Sequence, residues 1–439
     1  MIQVKSSNPN RKLFLTILCC LAAAPNAKFG DVQALEIFLL LHFSFLVGQF
    51  AYAGFRCRIY EPWRRLGIPY GIFLILTVLL ALASMRFRFY PPPDITFLKM
   101  PFILSVARVI EVTLGIFYML YLASILRREP DNRRYAMRAY FWAGVASAVY
   151  SILSYPLLLA ANLEWGAYLP GYRARGGFNE GGPYGLYLAS VMIVGLLLYD
   201  LHGLKKIQVW TSGVILLLAL VGSQSKAAFA AACILFLLNL VLVGTFRQRV
   251  ALAAVAMILG TVIWTMTPVP QLMLGYVNAY EVVQLYGSYV DQDAYGGFGG
   301  RVAGMVLVPR MISAHPITGI GLGNFSLLRN SPEYLQGLPR AETWELPGIG
   351  LAGYIAELGI PLFAYLMLLL CLPAWMTRHR ISMFAFILAA YQPIAHIFGV
   401  QLNFYYPWIC TGFALSIPEV SSVPYNKVAH SSAKMRLET

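Results

Sequence analysis

The chain has 439 residues, of which 59% are hydrophobic, 14% aromatic and only 12% charged. A soluble domain carries about 25% charged residues, so the polar surface is too small to cover a water-soluble globule. That excludes a cytosolic enzyme, a disordered chain and a disulfide scaffold, and the net charge of +14 calls for a topological explanation before a nucleic-acid one.

A helix needs about 20 apolar residues to cross a hydrocarbon core of about 30 Å. In chain order, twelve stretches approach that length: 13–25, 33–54, 66–85, 101–126, 139–162, 182–200, 207–222, 227–244, 250–267, 347–372, 381–398 and 402–418. The first is short, follows Arg11 and Lys12 and ends in AAAPNA; it reads as a short retained span, with a signal peptide as the second reading. The runs do not alternate apolar and polar residues as barrel strands do. The expected fold is an all-α polytopic membrane protein of about twelve transmembrane helices. Its parts are a bundle over 1–267, a loop over 268–346, three last spans over 347–418 and a tail over 419–439.

With the N-terminus in the cytoplasm, the cytoplasmic segments carry Lys5, Arg11 and Lys12, then Arg56, Arg58, Arg64 and Arg65, then Arg127, Arg128, Arg133, Arg134 and Arg138. Lys205 and Lys206, Arg247 and Arg249, Arg378 and Arg380, and finally Lys427, Lys434 and Arg436 continue the series. Every short loop on that side is basic, which places both termini there and makes most of the net charge membrane-orienting. Basic residues scattered over many loops do not make a nucleic-acid footprint. The cysteines (Cys19, Cys20, Cys57, Cys233, Cys371 and Cys410) avoid the long outer loop and show no CxxC or Cys/His spacing, so neither a disulfide framework nor a metal site is expected.

The outer loop 268–346 is about eighty residues long, and loops of that length are usually functional or disordered. It is not low-complexity. It holds the aromatic-bearing stretch QLMLGYVNAYEVVQLYGSYV, the helix-like VAGMVLVPRMISA with a kink expected at Pro309, and the Gly-rich HPITGIGLGNF. These predict a small structured cap with short helices. Asp291-Gln-Asp293 has the form of a metal-binding carboxylate pair and is read as coincidence.

Several charges stand out. In 171-GYRARGGFNEGGPYG-185, Arg173 and Arg175 sit among glycines, followed by Asn179 and Glu180 at the mouth of a helix. Glycines admit close backbone approach, a helix start near Gly182 favours an anion, and guanidinium grips phosphate oxygens in pairs. The segment reads as a phosphate or pyrophosphate site, and otherwise as two headgroup contacts. Lys226 in 222-GSQSKAAFA-230 opens a span on the same side, as a ligand for the same anion or as a snorkelling cation. Arg301 follows four glycines in GGFGGRVAGM and opens a helix-like stretch; Arg340 is carried with it as a binding candidate, while Arg310 and Arg329 read as cap surface. Arg108 and Glu111, three apart inside a span, share a helix face and read as a structural pair. Glu36 and Glu357 also lie inside spans, where ionisable groups are costly enough to be functional candidates; Glu357 reads as bundle interior. His315 is the best-placed outer histidine, in a turn or packing role first and a binding role second, ahead of His396 at the outer end of a span.

The order of 175-RGGF-178, 223-SQSK-226, Arg301, 315-HPITGIGLGNF-325 and 356-AELG-359 resembles the O-antigen ligase / O-antigen polymerase (Wzy-like) family of bacterial inner-membrane glycosyltransferases. The resemblance implies a GT-C-like fold, no cofactor, no metal, and an active site on the periplasmic face. The donor it implies is an oligosaccharide on undecaprenyl pyrophosphate, transferred with inversion. Arg175 and Arg301 inherit the anion-binding roles, Arg301 as a catalytic stabiliser of the leaving pyrophosphate, with Lys226 where many relatives carry Arg. Ligases of the family carry a His before the span that follows the loop; here 341-AETWELPGIG-350 has none, and Glu345 becomes the candidate general base. The segment 178-FNEGGPYG-185 departs from the Pro-Asn version of relatives, which leaves Asn179 and Glu180 as glycan-binding candidates.

The missing His favours a polymerase that passes a growing chain to a second lipid-linked repeat unit, ahead of a ligase that moves it to lipid A-core. A transporter or flippase would set its charges at the midplane on broken helices, whereas these arginines and glycines gather on the outer face. The expected partners are the lipid-linked oligosaccharide, the bilayer and a chain-length-regulating co-polymerase, with no nucleic acid.

Overall fold

The computed structural model describes residues 9–29, 32–52, 61–168, 172–243, 300–338, 340–344 and 346–419. The expected span at 250–267, the first part of the long loop and the tail beyond Glu419 lie outside the described residues.

Apolar runs in lipid must satisfy their own backbone groups, and the described runs do so as helices. They are α1 Pro9–Ala22, α2 Ala34–Tyr52, α3 Glu61–Ser84, α4 Ile103–Arg128, α5 Pro130–Ala161, α6 Gly181–Asp200, α7 Lys206–Ser223 and α8 Lys226–Val243. The cap contributes α9 Gly300–Ala314 and the single turns α10 Phe325–Leu328 and α11 Pro332–Leu335. Then come α12 Gly353–Thr377, α13 Met383–Ile397 and α14 Tyr405–Ser416. Two antiparallel two-residue hairpins complete the inventory, β1 Lys28–Phe29 with β2 Val32–Gln33, and β3 Ala167–Tyr168 with β4 Arg173–Ala174.

Among the described residues, six helical stretches are long and apolar enough to cross a membrane: Trp63–Ser84, Ile103–Arg128, Pro130–Ala161, Gly181–Asp200, Lys206–Ser223 and Gly350–Thr377. Four more apolar helices are shorter, Ala34–Gln49, Lys226–Leu235, Ala303–Ala314 and Met383–Ile397. The protein is therefore an all-α membrane protein in its described part. Helix α9 continues through Pro309, where a kink is expected from sequence. Helix α12 breaks at Gly359 (φ 72°, ψ 162°) instead, one residue after AEL and before Pro361.

One apolar core joins α1, α5, α6, α13 and α14; Leu15, Leu18 and Cys19 of α1 are fully buried in it. A second core gathers α3, α4 and α12 around Trp408, whose indole N–H donates to Leu402 O at 2.9 Å. Here α14 and α4 approach closely: a Cβ on Gly412 would stand 2.9 Å from Met119 O. A third cluster lies under the cap, from Ala303 and Leu307 to Phe325, Tyr334 and Ala356.

The up-and-down path gives the bundle two unlike ends. One is basic: Arg11 pairs with Glu129, Arg380 with Glu419 at 3.1 Å, Arg133 donates to Ser416 O at 3.0 Å, and Arg138 donates twice to Gly203 O at 2.8 and 2.6 Å. The other end collects the glycine-rich segments, and contacts across it tie loops from distant parts of the chain together.

Candidate anion-binding site

The RGGF segment is held as a hairpin turn. Arg175 N and Gly176 N both donate to Gly166 O, at 2.8 and 2.9 Å, and Phe178 N donates to Arg175 O at 2.9 Å. Phe178 is 1% exposed and inserts among Tyr184, Tyr187, Phe404 and Tyr406. Gly177 lies flat against the end of α1: a Cβ there would meet Ala24 Cα at 2.6 Å, and Asn26 N donates to Gly177 O at 2.9 Å.

The SQSK segment is a second turn, between α7 and α8. Gln224 takes the left-handed conformation that reverses the chain. Ser225 Oγ accepts the Ala228 N–H at 3.2 Å, which caps α8 as an N-cap serine does. The same hydroxyl donates to Gly182 O at 3.1 Å, in the first turn of α6.

Arg173 joins the two turns. Its Nε donates to Ser223 O at 3.2 Å, and Tyr155 OH donates to the neighbouring Gly222 O at 2.9 Å. Gly181 permits the contact, since a Cβ there would come to 2.5 Å from Ser223 O. Arg175 donates through Nε to Trp165 O at 3.0 Å and through Nη2 to Glu164 O at 2.7 Å. Both guanidinium groups stand by the Tyr168 ring, at 5.9 and 5.3 Å. Carbonyls thus fix one part of each guanidinium, and five donors per group leave N–H groups on each to meet a ligand.

Lys226 is exposed in the first turn of α8. A cation there works against the helix dipole, so it adds positive potential to an end that is already positive. Glu180, at the N-cap of α6, makes no side-chain cap bond, and Asn179 and Glu180 are both exposed beside the turn. The segments that carry two arginines, a lysine and two helix starts therefore meet from fifty residues apart, a set of groups that can hold a di-anion with several oxygens.

The other sequence candidates belong to other segments of the chain. Arg301 lies in the first turn of α9. Arg340 is exposed in the coil after α11. Glu345 lies outside the described residues. His315 packs edge-on to Phe87 with ring centroids 4.8 Å apart, and its Nε2 meets Tyr334 OH at 3.1 Å. Burial holds this imidazole below its usual range; the Glu333 carboxylate opposes that and Arg86 adds to it. Burial, with Glu333 beside it, pushes the Tyr334 phenol up to about 12. His396 is fully buried and pairs through Nδ1 with Val400 O at 2.8 Å.

The HPITGIGLGNF segment proves to be a latch. The Glu357 carboxylate accepts Gly323 N–H at 2.9 Å and Phe325 N–H at 3.4 Å. Ile320 N donates to Ala356 O and Gly321 N to Glu357 O, both at 2.9 Å, and Ile360 N donates to Pro316 O at 2.8 Å. Asn324 adds Ser84 Oγ of α3 at 3.0 Å and Ser105 Oγ of α4 at 3.2 Å. The motif is thus a clasp between the cap and three helices. Sequence reasoning missed the segment 86–100. Tyr90 N donates to Leu327 O at 2.8 Å, Trp344 N to Asp94 Oδ2 at 3.0 Å, and the Lys99 ammonium lies 5.3 Å from the Trp344 ring centre. Only the run of prolines 91–93 hinted at a fixed path there.

Residues 211–367 match the O-antigen ligase family. The matched stretch takes in SQSK, Arg301, the Gly-rich clasp and AELG, and it leaves out RGGF, which the Arg173–Ser223 bond ties to it. No curated protein matches the chain.

Proposed function

We propose that this chain, whose residues 211–367 match the O-antigen ligase family, is a polysaccharide polymerase of the bacterial inner membrane. It passes a glycan from undecaprenyl pyrophosphate to a second lipid-linked repeat unit at the periplasmic face. The observation that carries this is the Arg173 bridge, which brings RGGF, SQSK and the starts of α6 and α8 into one cationic site at the end opposite the basic loops. By the positive-inside rule that basic end faces the cytoplasm.

The chemistry asks for charge stabilisation. When the bond from the anomeric carbon to the pyrophosphate oxygen breaks, negative charge grows on the leaving phosphate. Donors fixed beforehand stabilise that charge without reorganising, worth about 10²–10³ in rate for one such donor. Arg173 and Arg175 are fixed in this sense by Ser223 O, Trp165 O and Glu164 O. Lys226 contributes charge, and Arg301, in the first turn of the cap helix, is assigned to the same pyrophosphate from the cap side. An acceptor hydroxyl attacking from the opposite face inverts the anomeric centre.

The purified protein, mixed with a lipid-pyrophosphate-linked repeat unit and a chelator, should build a ladder on a glycan gel. Arg175→Ala should abolish it, with at least tenfold weaker donor binding and an unchanged gel-filtration profile. A full ladder from Arg175→Ala refutes the site. A product formed only with lipid A-core supports the ligase reading, which the description of the matched family favours.

A further inference from the structure

Two carboxylates and an arginine stand at the motif end of the bundle without a task in the reaction above. Glu36, in the first turn of α2, is 8% exposed, and its Oε2 accepts Gln33 N–H at 2.9 Å. On α4, Arg108 Nη1 donates to Glu111 Oε2 at 2.7 Å. Glu36 lies in electrostatic reach of Glu111, Arg108 and, on the β1 hairpin, Lys28. Arg108 is thus paired with Glu111, and Glu36 brings a further carboxylate into its electrostatic reach, a costly arrangement to keep inside the bundle for packing alone.

Tyr405, the first residue of α14, faces them. It is 2% exposed, its hydroxyl has no hydrogen-bond partner among the described residues, and the charged side chains acting on it include Glu36, Glu111 and Arg108. Leaving a buried hydroxyl unpaired costs about 1–3 kcal/mol, which a bound ligand offering a partner would recover. The Arg108 and Glu111 side chains keep 21% and 17% of their surface exposed. The cluster also borders the anion site. Phe404 stacks on Phe178 and Tyr406 meets the same ring edge-on at 6.0 Å, so both neighbours of Tyr405 pack on the RGGF segment, and Tyr406 OH also donates to Pro183 O of α6 at 3.3 Å.

We propose that this cluster is the acceptor subsite: it binds the hydroxyl-rich terminal sugar of the acceptor, and Glu36 is the general base. Carboxylates, a phenol and a guanidinium are together donors and acceptors for adjacent sugar hydroxyls. Glu36 takes the proton of one acceptor hydroxyl while that oxygen bonds to the anomeric carbon. The bond from that carbon to the pyrophosphate oxygen breaks, and its electron pair leaves with the phosphate, held by Arg173 and Arg175. Tyr405, Glu111 and Arg108 orient the sugar. This rests on the glycosyltransferase reading and replaces Glu345 as base.

The test uses the full chain in nanodiscs with a lipid-pyrophosphate-linked repeat unit. Chain extension and donor binding are measured separately for Glu36→Gln, Tyr405→Phe and Glu345→Gln. Glu36→Gln keeps the side-chain shape and an acceptor for Gln33 N–H. It should lower kcat by about 10²-fold or more with donor binding unchanged. Tyr405→Phe should raise the acceptor KM several-fold with a smaller change in kcat, and Glu345→Gln should extend chains normally. Glu36→Gln turning over within threefold of the unmodified protein overturns the proposal, as does a parallel loss of donor binding. Should Glu36→Gln fail to fold, an unchanged acceptor KM in Tyr405→Phe overturns it alone. If the unmodified protein makes no product and Arg175→Ala binds donor equally well, the glycosyltransferase reading fails and the subsite falls with it.

Discussion

Glu357 illustrates how a costly intramembrane residue can be structural. Its two oxygens receive two backbone N–H groups from the clasp, at 2.9 and 3.4 Å. Glu357→Gln leaves one of those N–H groups opposite an amide donor. A loss of about 1–3 kcal/mol is expected from one unsatisfied buried group, read as a fall in melting temperature of the purified protein. An unchanged melting temperature would mean that the clasp bears no load. His315 gives a pH dependence whose sign follows from its environment. Its folded pKa lies below the ordinary value of about 6.5, so the unfolded chain takes up the proton first. The stability it contributes is present above pH ~6.5 and is lost as the pH falls below it. The melting temperature should therefore drop between pH 7 and pH 5, with a smaller drop in His315→Asn. At this scale the sequence marks which residues are unusual but not what they hold. Arg173 was legible as a cation among glycines, yet its partner is a backbone carbonyl fifty residues away, which residue identity does not encode.

Among elements, the clasp and α12 form one mechanical piece. Gly319 has φ +60°, and a Cβ there would collide with Glu357 O and with Gly359 N. Gly319→Ala adds a left-handed penalty of about 1–2 kcal/mol to that collision, so at least a comparable loss of stability is expected, together with faster proteolysis of the cap. Equal melting and cleavage in the variant would show that the cap is held by other contacts. Most helices were legible because apolar runs of membrane length have few alternatives. Their breaks were less so. The sequence drew attention to Pro309, which lies inside the continuous α9, whereas the break of α12 at Gly359, where the clasp supplies hydrogen bonds including Ile360 N to Pro316 O, was not foreseen. Proline announces its own missing donor, whereas a break that depends on a partner segment leaves no local mark.

Across the described residues, the basic loops gather at one end of the bundle and the glycine-rich turns at the other. Arg138 beside Gly203, and Arg380 beside Glu419, stand opposite the turns at Gln224 and Gly177. Reporters inserted at 202–204 should read as cytoplasmic and those at 224 as periplasmic. The opposite result would invert the orientation and place the cationic site where no periplasmic glycan could reach it. The alternation of Lys and Arg along the loops makes this orientation the expectation from sequence, because orientation depends on loop charge rather than on tertiary contacts, and the reporters test it.

The seam between cap and bundle also sets where the protein can be recombined. Ile320, Gly321 and Gly323 bond to Ala356 and Glu357 through main-chain atoms and one carboxylate, and Asn324 reaches Ser84 and Ser105. A cap transplanted from a relative with ends cut at 300 and 346 would arrive without the half of the seam that lies in AELG. A workable chimera must carry the donor cap through its own Glu-Leu-Gly break, with joints placed inside the straight part of α12. Sugar specificity, if it resides in the cap, would then be exchangeable only as a cassette that includes the first turns of that helix.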